Sequence, residues 1–111
     1  MEKHRIYLAT PYTHPDPNVR ENRFYRASEC ANRLMQEGYN VYSPITHGHL
    51  IGAIGGLPGD FDFWQEHCLS FIRHWADRVI VLVQPGWQES KGVAAEIAEA
   101  QALGLPISFI S

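Results

Sequence analysis

Cysteine is scarce in this sequence, and long apolar runs are absent from it. Cys30 and Cys68 are the two cysteines among the 111 residues, and they lie far apart without CxxC spacing, which is typical of a reducing environment. No apolar run approaches the roughly 18 residues that a membrane-spanning helix needs, and no signal peptide is recognisable. We therefore expect a cytoplasmic protein that does not enter a membrane.

Basic residues are also few. The formal net charge is −3 and the pI is near 6.0, which argues against a long nucleic acid as partner because such a partner requires a basic stripe. Arg20, Arg23 and Arg26 do cluster, and they could either meet a small anion or form a solvated face. A content of 45% hydrophobic and 19% charged residues indicates a globular chain. The length predicts a single domain over residues 1–111.

The chain alternates between strand and helix patterns. Four apolar segments predict strands over residues 4–10, 39–44, 77–84 and 105–111. Apolar residues at helical spacing predict helices over residues 17–37, 60–76 and 90–104. Residues 45–59 hold five glycines without a clear period. We expect a long loop there with one short helical turn at most, and loops of that length are often lids or binding segments.

Strands that alternate with helices predict an α/β fold. We expect a single parallel sheet of about four strands with helices on both faces, flavodoxin- or Rossmann-like. The first and third strands are the most apolar and therefore central, which gives the order 2-1-3-4. Ligands bind such sheets outside the carboxyl ends of the strands, where the winding reverses. That point lies between the loop TPYTH, residues 10–14, and the turn PGWQESKG, residues 85–92.

One carboxylate occupies an unusual position in the last helix. Glu96 lies at the edge of the buried stripe of that helix, and a carboxyl at the margin of a core is usually paired, protonated or used in function. In a functional interpretation, Ser90 and Gly92 meet an anion at the helix start, and Glu96 faces a reactive centre roughly 9 Å deeper. In the structural alternative Ser90 only caps the helix, Gly92 is a packing glycine and Glu96 pairs with a surface cation.

Two segments carry a resemblance to a known family. IYLATP, residues 6–11, and ADRVIVLVQPGWQESKGVAAEIAEAQALGLPI, residues 76–107, resemble the nucleoside 2-deoxyribosyltransferase-like superfamily. That superfamily includes transferases that exchange bases between deoxynucleosides and N-glycosidases that cut deoxynucleoside monophosphates. The nearest likeness is to an uncharacterised bacterial and phage branch with a PY-[ST]-H-P-D-P loop and a GW-x-x-S-x-GV-x-x-E turn and helix. The resemblance extends over essentially the whole chain.

The resemblance implies roles for particular residues. Glu96 matches the nucleophilic glutamate that attacks C1′ of the sugar and forms a covalent glycosyl-enzyme, and Tyr7 matches the tyrosine that orients it. A carboxylate below C1′ suits this chemistry because the N-glycosidic bond breaks through an oxocarbenium-like state. The positions that match substrate or phosphate contacts are Ser90, Gly92, Tyr12, Thr13 and His14. The resemblance implies a nucleoside or nucleotide as the ligand, no cofactor and a homo-oligomeric assembly.

The expected proton donor is missing from its usual place. The family places an aspartate on the helix before the third strand, where this chain has His67 and Cys68. His67, Glu66 or Asp62 would have to protonate the leaving base instead. A protein without such a donor could equally be a nucleotide-binding module without turnover.

Several aromatic residues and histidines allow two interpretations each. Trp87 could stack on a base or pack within the protein. His47 and His49 lack a third ligand at metal-binding spacing, so we expect no metal and take them as solvated or substrate-facing. The helix over residues 60–76 is so aromatic that part of it could be buried in a partner subunit, which keeps open an interaction protein with an empty crevice.

Overall fold

A computed structural model gives the structure of the protein and describes residues 4–58 and 60–111. The strands are β1 (Arg5–Ala9), β2 (Asn40–Tyr42), β3 (Arg78–Leu82) and β4 (Ile107–Ile110). They form one parallel sheet in the order β2-β1-β3-β4. The predicted α/β class and strand order are thus confirmed, with the two most apolar strands at the centre.

Four helices cover the sheet. They are α1 (Pro17–Gln36), α2 (Pro44–Gly55), α3 (Phe61–His74) and α4 (Lys91–Leu103), and a short 3-10 turn, Trp87–Glu89, precedes α4. Successive strand residues point to opposite faces. Ile6 and Leu8 of β1 therefore pack with α1, whereas Tyr7 and Ala9 pack with α3 and α4. Helices on both faces follow from this alternation.

The helix α1 has the ends that the sequence predicts. The Asp16 side chain accepts a hydrogen bond from the backbone N–H of Asn18 at 2.8 Å, and Pro17 takes the first helical position. Gly38, just beyond the helix, has φ +103°, a conformation that glycine adopts without strain. The helix consequently begins beside the β1–α1 loop, at the carboxyl edge of the sheet.

The prediction of a loop over residues 45–59 was wrong. Pro44–Gly55 forms a helix of 12 residues, in which Ser43 caps the start by accepting from the N–H of Thr46 at 3.3 Å. The glycines weaken the helical pattern but do not break this helix, which packs on α1 and has the Trp64 ring beside Gly48, where a Cβ would lie at an ordinary contact distance of 3.6 Å. Gly59, the last residue of the predicted loop, lies outside the described residues. The helix α2 forms one wall of the crevice at the carboxyl edge.

Candidate functional site

A cavity of about 900 Å³ opens at the carboxyl ends of β1 and β3. Its walls come from the β1–α1 loop, from α2, and from the first turns of α3 and α4. This is the place where a parallel sheet of this winding order binds ligands. Of the predicted site residues, the cavity is lined by Tyr12, Thr13, His14, Asp62, Ser90, Gly92 and Glu96.

Glu96 lies in the wall of this cavity although its residue is only 4% exposed. The hydroxyl of the fully buried Tyr7 donates a hydrogen bond to Glu96 Oε2. Burial raises the pKa of the Glu96 carboxyl from its ordinary 4.5 to about 8, and the hydrogen bond from Tyr7 offsets part of the rise. The hydrogen bond between Tyr7 and Glu96 thus joins β1 to α4 and orients the buried carboxyl.

Two further side chains surround this pair. Cys68 of α3 is buried and lines the cavity, and burial together with the nearby Glu96 raises the pKa of its thiol to about 11. Burial also raises the pKa of Tyr42, with smaller contributions from Cys68 and Glu96. The thiol stands where an aspartate was expected, so the buried neighbours of the Glu96 carboxyl are a thiol and the Tyr7 hydroxyl.

The first turn of α4 is already engaged by the protein. The Ser90 side chain caps the helix by accepting from the N–H of Val93 at 3.2 Å. A Cβ on Gly92 would lie 3.0 Å from Cδ1 of Phe61, so this glycine permits close packing of α3 against α4. Ser90 therefore caps the helix and Gly92 packs closely against α3, as the structural alternative predicts. Both residues also line the cavity. The ammonium of Lys91 contacts Asp62 Oδ1 at 2.8 Å.

The predicted proton donors are dispersed. Asp62 lines the cavity but is 65% exposed in its side chain. Glu66 is also exposed, and it forms an ion pair with Arg73 at 3.0 Å. His67 donates to or accepts from the Tyr42 hydroxyl at 3.0 Å. Neither Glu66 nor His67 is among the described residues that line the cavity.

Trp87 and two arginines of α1 make structural contacts. The Trp87 ring packs against Phe109 with centroids 5.4 Å apart, outside the set of described residues that line the cavity. The Arg23 guanidinium donates to the carbonyls of Thr13 at 3.0 Å and Pro85 at 3.1 Å. Arg20 donates to the carbonyl of His14. Arg23 therefore ties the β1–α1 loop to the β3–α4 turn, a role that neither sequence interpretation of the cluster included.

The two histidines of THGH go to different places. His47 is exposed and stacks on His67 with centroids 5.2 Å apart. His49 lines the cavity and contacts Tyr12 and Glu21. Among residues 4–58 and 60–111, no three or more His, Cys, Asp or Glu side chains are placed to hold a metal ion.

Sequence reasoning missed Glu21 and Tyr42 as neighbours of the site. Glu21 lies on the exposed face of α1, and its contact with the cavity depends on α2, which was predicted as a loop. Tyr42 pairs in register with Tyr7 across the parallel strands, and that pairing was the one available signal. Within the part of the chain that the structure describes, no helix is long and apolar enough to cross a membrane.

These features define a class: a parallel α/β domain with helices on both faces and a cavity at the switch point of its sheet. The chain belongs to the family described as a domain of unknown function (DUF1937), whose model matches residues 4–111. No curated protein matches the sequence.

A solved structure shares this fold. It is that of a 2-deoxyribosyltransferase from the psychrotolerant bacterium Bacillus psychrosaccharolyticus, with a TM-score of 0.62 and 24% sequence identity. The match covers 95% of this chain and 70% of that chain. Identity at this level shows the fold alone. The fold predicted from the resemblance is thus confirmed, whereas the particular bacterial and phage branch stays a prediction.

Proposed function

We propose that this protein cleaves or transfers the N-glycosidic bond of a nucleoside or a nucleoside 5′-monophosphate through a covalent glycosyl-Glu96 intermediate. The observation that carries the proposal is the buried carboxyl of Glu96, held by Tyr7 in the wall of a cavity large enough for a nucleoside. The shared fold with a 2-deoxyribosyltransferase supports it.

The position of Glu96 suits attack on a sugar. The carboxyl projects from α4 about one and a half turns beyond Ser90, roughly 9 Å along the axis. The sugar would lie over Glu96 with its 5′ end toward the start of α4, where the first backbone N–H groups of the helix face an anion or a hydroxyl. In this arrangement Tyr7 is a positioning residue, because it contacts the carboxyl from below and is fully buried.

Charge in the cavity bears on the substrate. Asp60, Asp62 and Glu89 line the mouth near the start of α4, and the cation beside them is Lys91. Like charges close to a phosphate oppose its binding. A 5′-hydroxyl therefore suits this end of the cavity better than a phosphate dianion does.

The protonation of Glu96 favours a second candidate function. A carboxyl with a pKa of about 8 is largely protonated at neutral pH, and a protonated carboxyl does not attack C1′. A binding module that holds a nucleoside without turnover is consistent with that state. A bound sugar that develops positive charge stabilises the ionised carboxylate, which is the condition under which the enzymatic proposal operates.

The test is release of free base from a panel of ribo- and deoxyribonucleosides and their 5′-monophosphates, followed by chromatography. The Glu96→Gln variant keeps the shape of the side chain and removes the nucleophile. Glu99→Gln is the matched control, because Glu99 lies on the same helix and pairs with Arg73 at 3.2 Å. Addition of a second free base separates transfer from hydrolysis.

The outcomes separate the two functions. Base release by the wild type and the Glu99→Gln variant, with loss in Glu96→Gln and a glycosyl adduct by intact mass, supports the enzyme. Thermal stabilisation by a nucleoside without base release supports the binding module. If neither base release nor thermal stabilisation is observed, the remaining hypothesis is an interaction protein with an empty crevice.

We also propose a homo-oligomer. Exposed apolar side chains gather on α2, where Ile54 is 86% exposed and Leu50 57%. On α3, Phe63 is 49% exposed, whereas Trp64 and Phe71 pack against the core. Apolar side chains clustered on one helix are typical of a subunit interface. Sedimentation of the wild type and of an Ile54→Glu variant tests this, and a monomeric wild type contradicts it.

A further inference from the structure

Three hydrogen-bonded side chains form a chain along one wall of the cavity. Tyr12 Oη lies 2.6 Å from His49 Nδ1, and His49 Nε2 lies 2.9 Å from Glu21 Oε2. They come from the β1–α1 loop, α2 and α1, and all three line the same cavity as Glu96. Neither the nucleophile nor its positioning tyrosine involves them.

The central ring of this chain is held in place. His49 stacks on Phe24 with centroids 4.1 Å apart and an angle of 19° between the ring planes. Its side chain is 14% exposed, whereas that of Glu21 is 67% exposed. The hydrogen bonds thus connect the solvent-exposed carboxylate of Glu21, through the fixed imidazole of His49, to the Tyr12 phenol on the cavity wall. Hydrogen-bonded chains of this kind conduct protons because each group both donates and accepts.

The reaction needs a proton that the predicted donors do not supply. A departing base takes the electron pair of the C1′–N bond, and protonation of the base makes it a better leaving group. Glu66 and His67 lie outside the set of cavity-lining residues, and Asp62 is paired with Lys91. Burial raises the pKa of Tyr12, and the nearby Arg20 offsets part of that rise. The Tyr12 hydroxyl therefore retains its proton until a base accepts it.

We propose that Tyr12, His49 and Glu21 deliver the proton to the leaving base, with Tyr12 as the group that touches it. This inference rests on the proposed function, because it assigns the general acid of that reaction. It replaces the missing aspartate with a relay from three separate elements.

The proposed step begins with Glu96 ionised and with His49 protonated on both nitrogens. The Glu96 carboxylate bonds to C1′ as the C1′–N bond breaks, and the Tyr12 proton passes to the base nitrogen. The Nδ1 proton of His49 passes to Tyr12, which leaves a neutral imidazole whose Nε2–H donates to Glu21. In hydrolysis, water attacks C1′ and gives its proton back through Tyr12 to His49, while Glu96 departs as a carboxylate.

Paired substrates test the relay. One of each pair needs protonation of its base, and its N-methylated counterpart carries a fixed positive charge and leaves without a proton. The pairs are 2′-deoxyguanosine with 7-methyl-2′-deoxyguanosine, and 2′-deoxycytidine with 3-methyl-2′-deoxycytidine. We expect Tyr12→Phe and His49→Gln to lower kcat/KM by about 100-fold on the unmethylated substrate, the low end of general acid catalysis, and less than about threefold on the methylated one. Glu21→Gln should give a smaller loss of the same selectivity.

A matched control and the substrate ratio exclude a structural explanation. His47→Gln changes a histidine of the same helix that stacks on His67 outside the cavity-lining set, and it should leave both rates unchanged. A structural defect would lower kcat/KM equally for the two substrates of a pair. An equal loss in Tyr12→Phe and His49→Gln would therefore overturn the relay. Equal rates in wild type and His49→Gln would overturn it as well. A wild type that releases base neither from these four substrates nor from the wider panel of nucleosides and 5′-monophosphates instead overturns the proposed function, and the relay with it.

Discussion

Removal of the Glu96 carboxyl should make the protein more stable at neutral pH, and the gain should depend on pH in a defined way. Burial holds the carboxyl at a pKa of about 8 in the folded state against an ordinary 4.5. The unfolded chain releases this proton as the pH rises through 4.5, whereas the folded protein keeps it. The contribution of this carboxyl to the free energy of unfolding is therefore highest below pH 4.5 and falls as the pH rises toward 8.

The magnitude follows from the two pKa values. Each pH unit between them lowers the free energy of unfolding by about 1.4 kcal/mol. The loss from this group reaches about 3 kcal/mol at pH 7 and about 5 kcal/mol above pH 8. A glutamine at this position does not titrate. The stability of Glu96→Gln relative to wild type should therefore rise by about 3 kcal/mol between pH 4 and pH 7.

Urea denaturation at pH 4, 5.5, 7 and 8.5 measures this difference. The other titrating groups are common to both proteins, so they cancel in the comparison. Glu99→Gln removes a carboxyl of the same helix that is paired with Arg73, and it should not show the gain in stability with rising pH that Glu96→Gln shows. A difference between Glu96→Gln and wild type that stays constant from pH 4 to 8.5 would refute the assignment of a raised pKa to Glu96.

Three other predictions concern the neighbourhood of the site. Tyr7→Phe removes the hydrogen bond that lowers the pKa of Glu96, so the pH at which stability stops falling should move above about 8 in the same urea titration. Asp62→Asn removes a negative charge from the cavity and frees the ammonium at the start of α4, and calorimetry should show affinity for a nucleoside 5′-monophosphate rising by up to about fivefold relative to the nucleoside. Gly86→Ala should lower the free energy of unfolding by about 1–2 kcal/mol, because φ is +91° and the new Cβ would lie 2.7 Å from a guanidinium nitrogen. Gly38→Ala, at φ +103° with no atom within 4 Å, should cost less in the same urea measurement, and an equal cost would contradict the clash.

The strand order could be predicted because it depends on local composition. The sequences of β1 and β3 are continuously apolar, as central parallel strands are, and prolines or turns end each of them. The helix α2 could not be predicted in this way. Its glycines weaken the helical pattern, and the contacts that hold it, with α1 and with the Trp64 ring beside Gly48, join residues far apart in the sequence.

The candidate site could likewise be predicted only in part. The positions of Tyr7 and Glu96 followed from the strand and helix that carry them, and the resemblance supplied their expected roles. His49 contacts Tyr12 and Glu21, which lie 37 and 28 positions away from it in the sequence, and no spacing rule relates them. Side chains from three elements meet there only because α2 packs on α1.

The Arg23 clamp has a consequence for how this domain can change. Its guanidinium holds the two loops through the carbonyl oxygens of Thr13 and Pro85, and every residue type carries such an oxygen. The loop side chains other than at Gly86, where a Cβ would meet the guanidinium, can therefore be replaced without loss of the clamp, so long as the backbone path is kept. Arg23 thus holds the backbone of the crevice independently of most side chains that line it. New substrate contacts can therefore be engineered by changing those loop side chains.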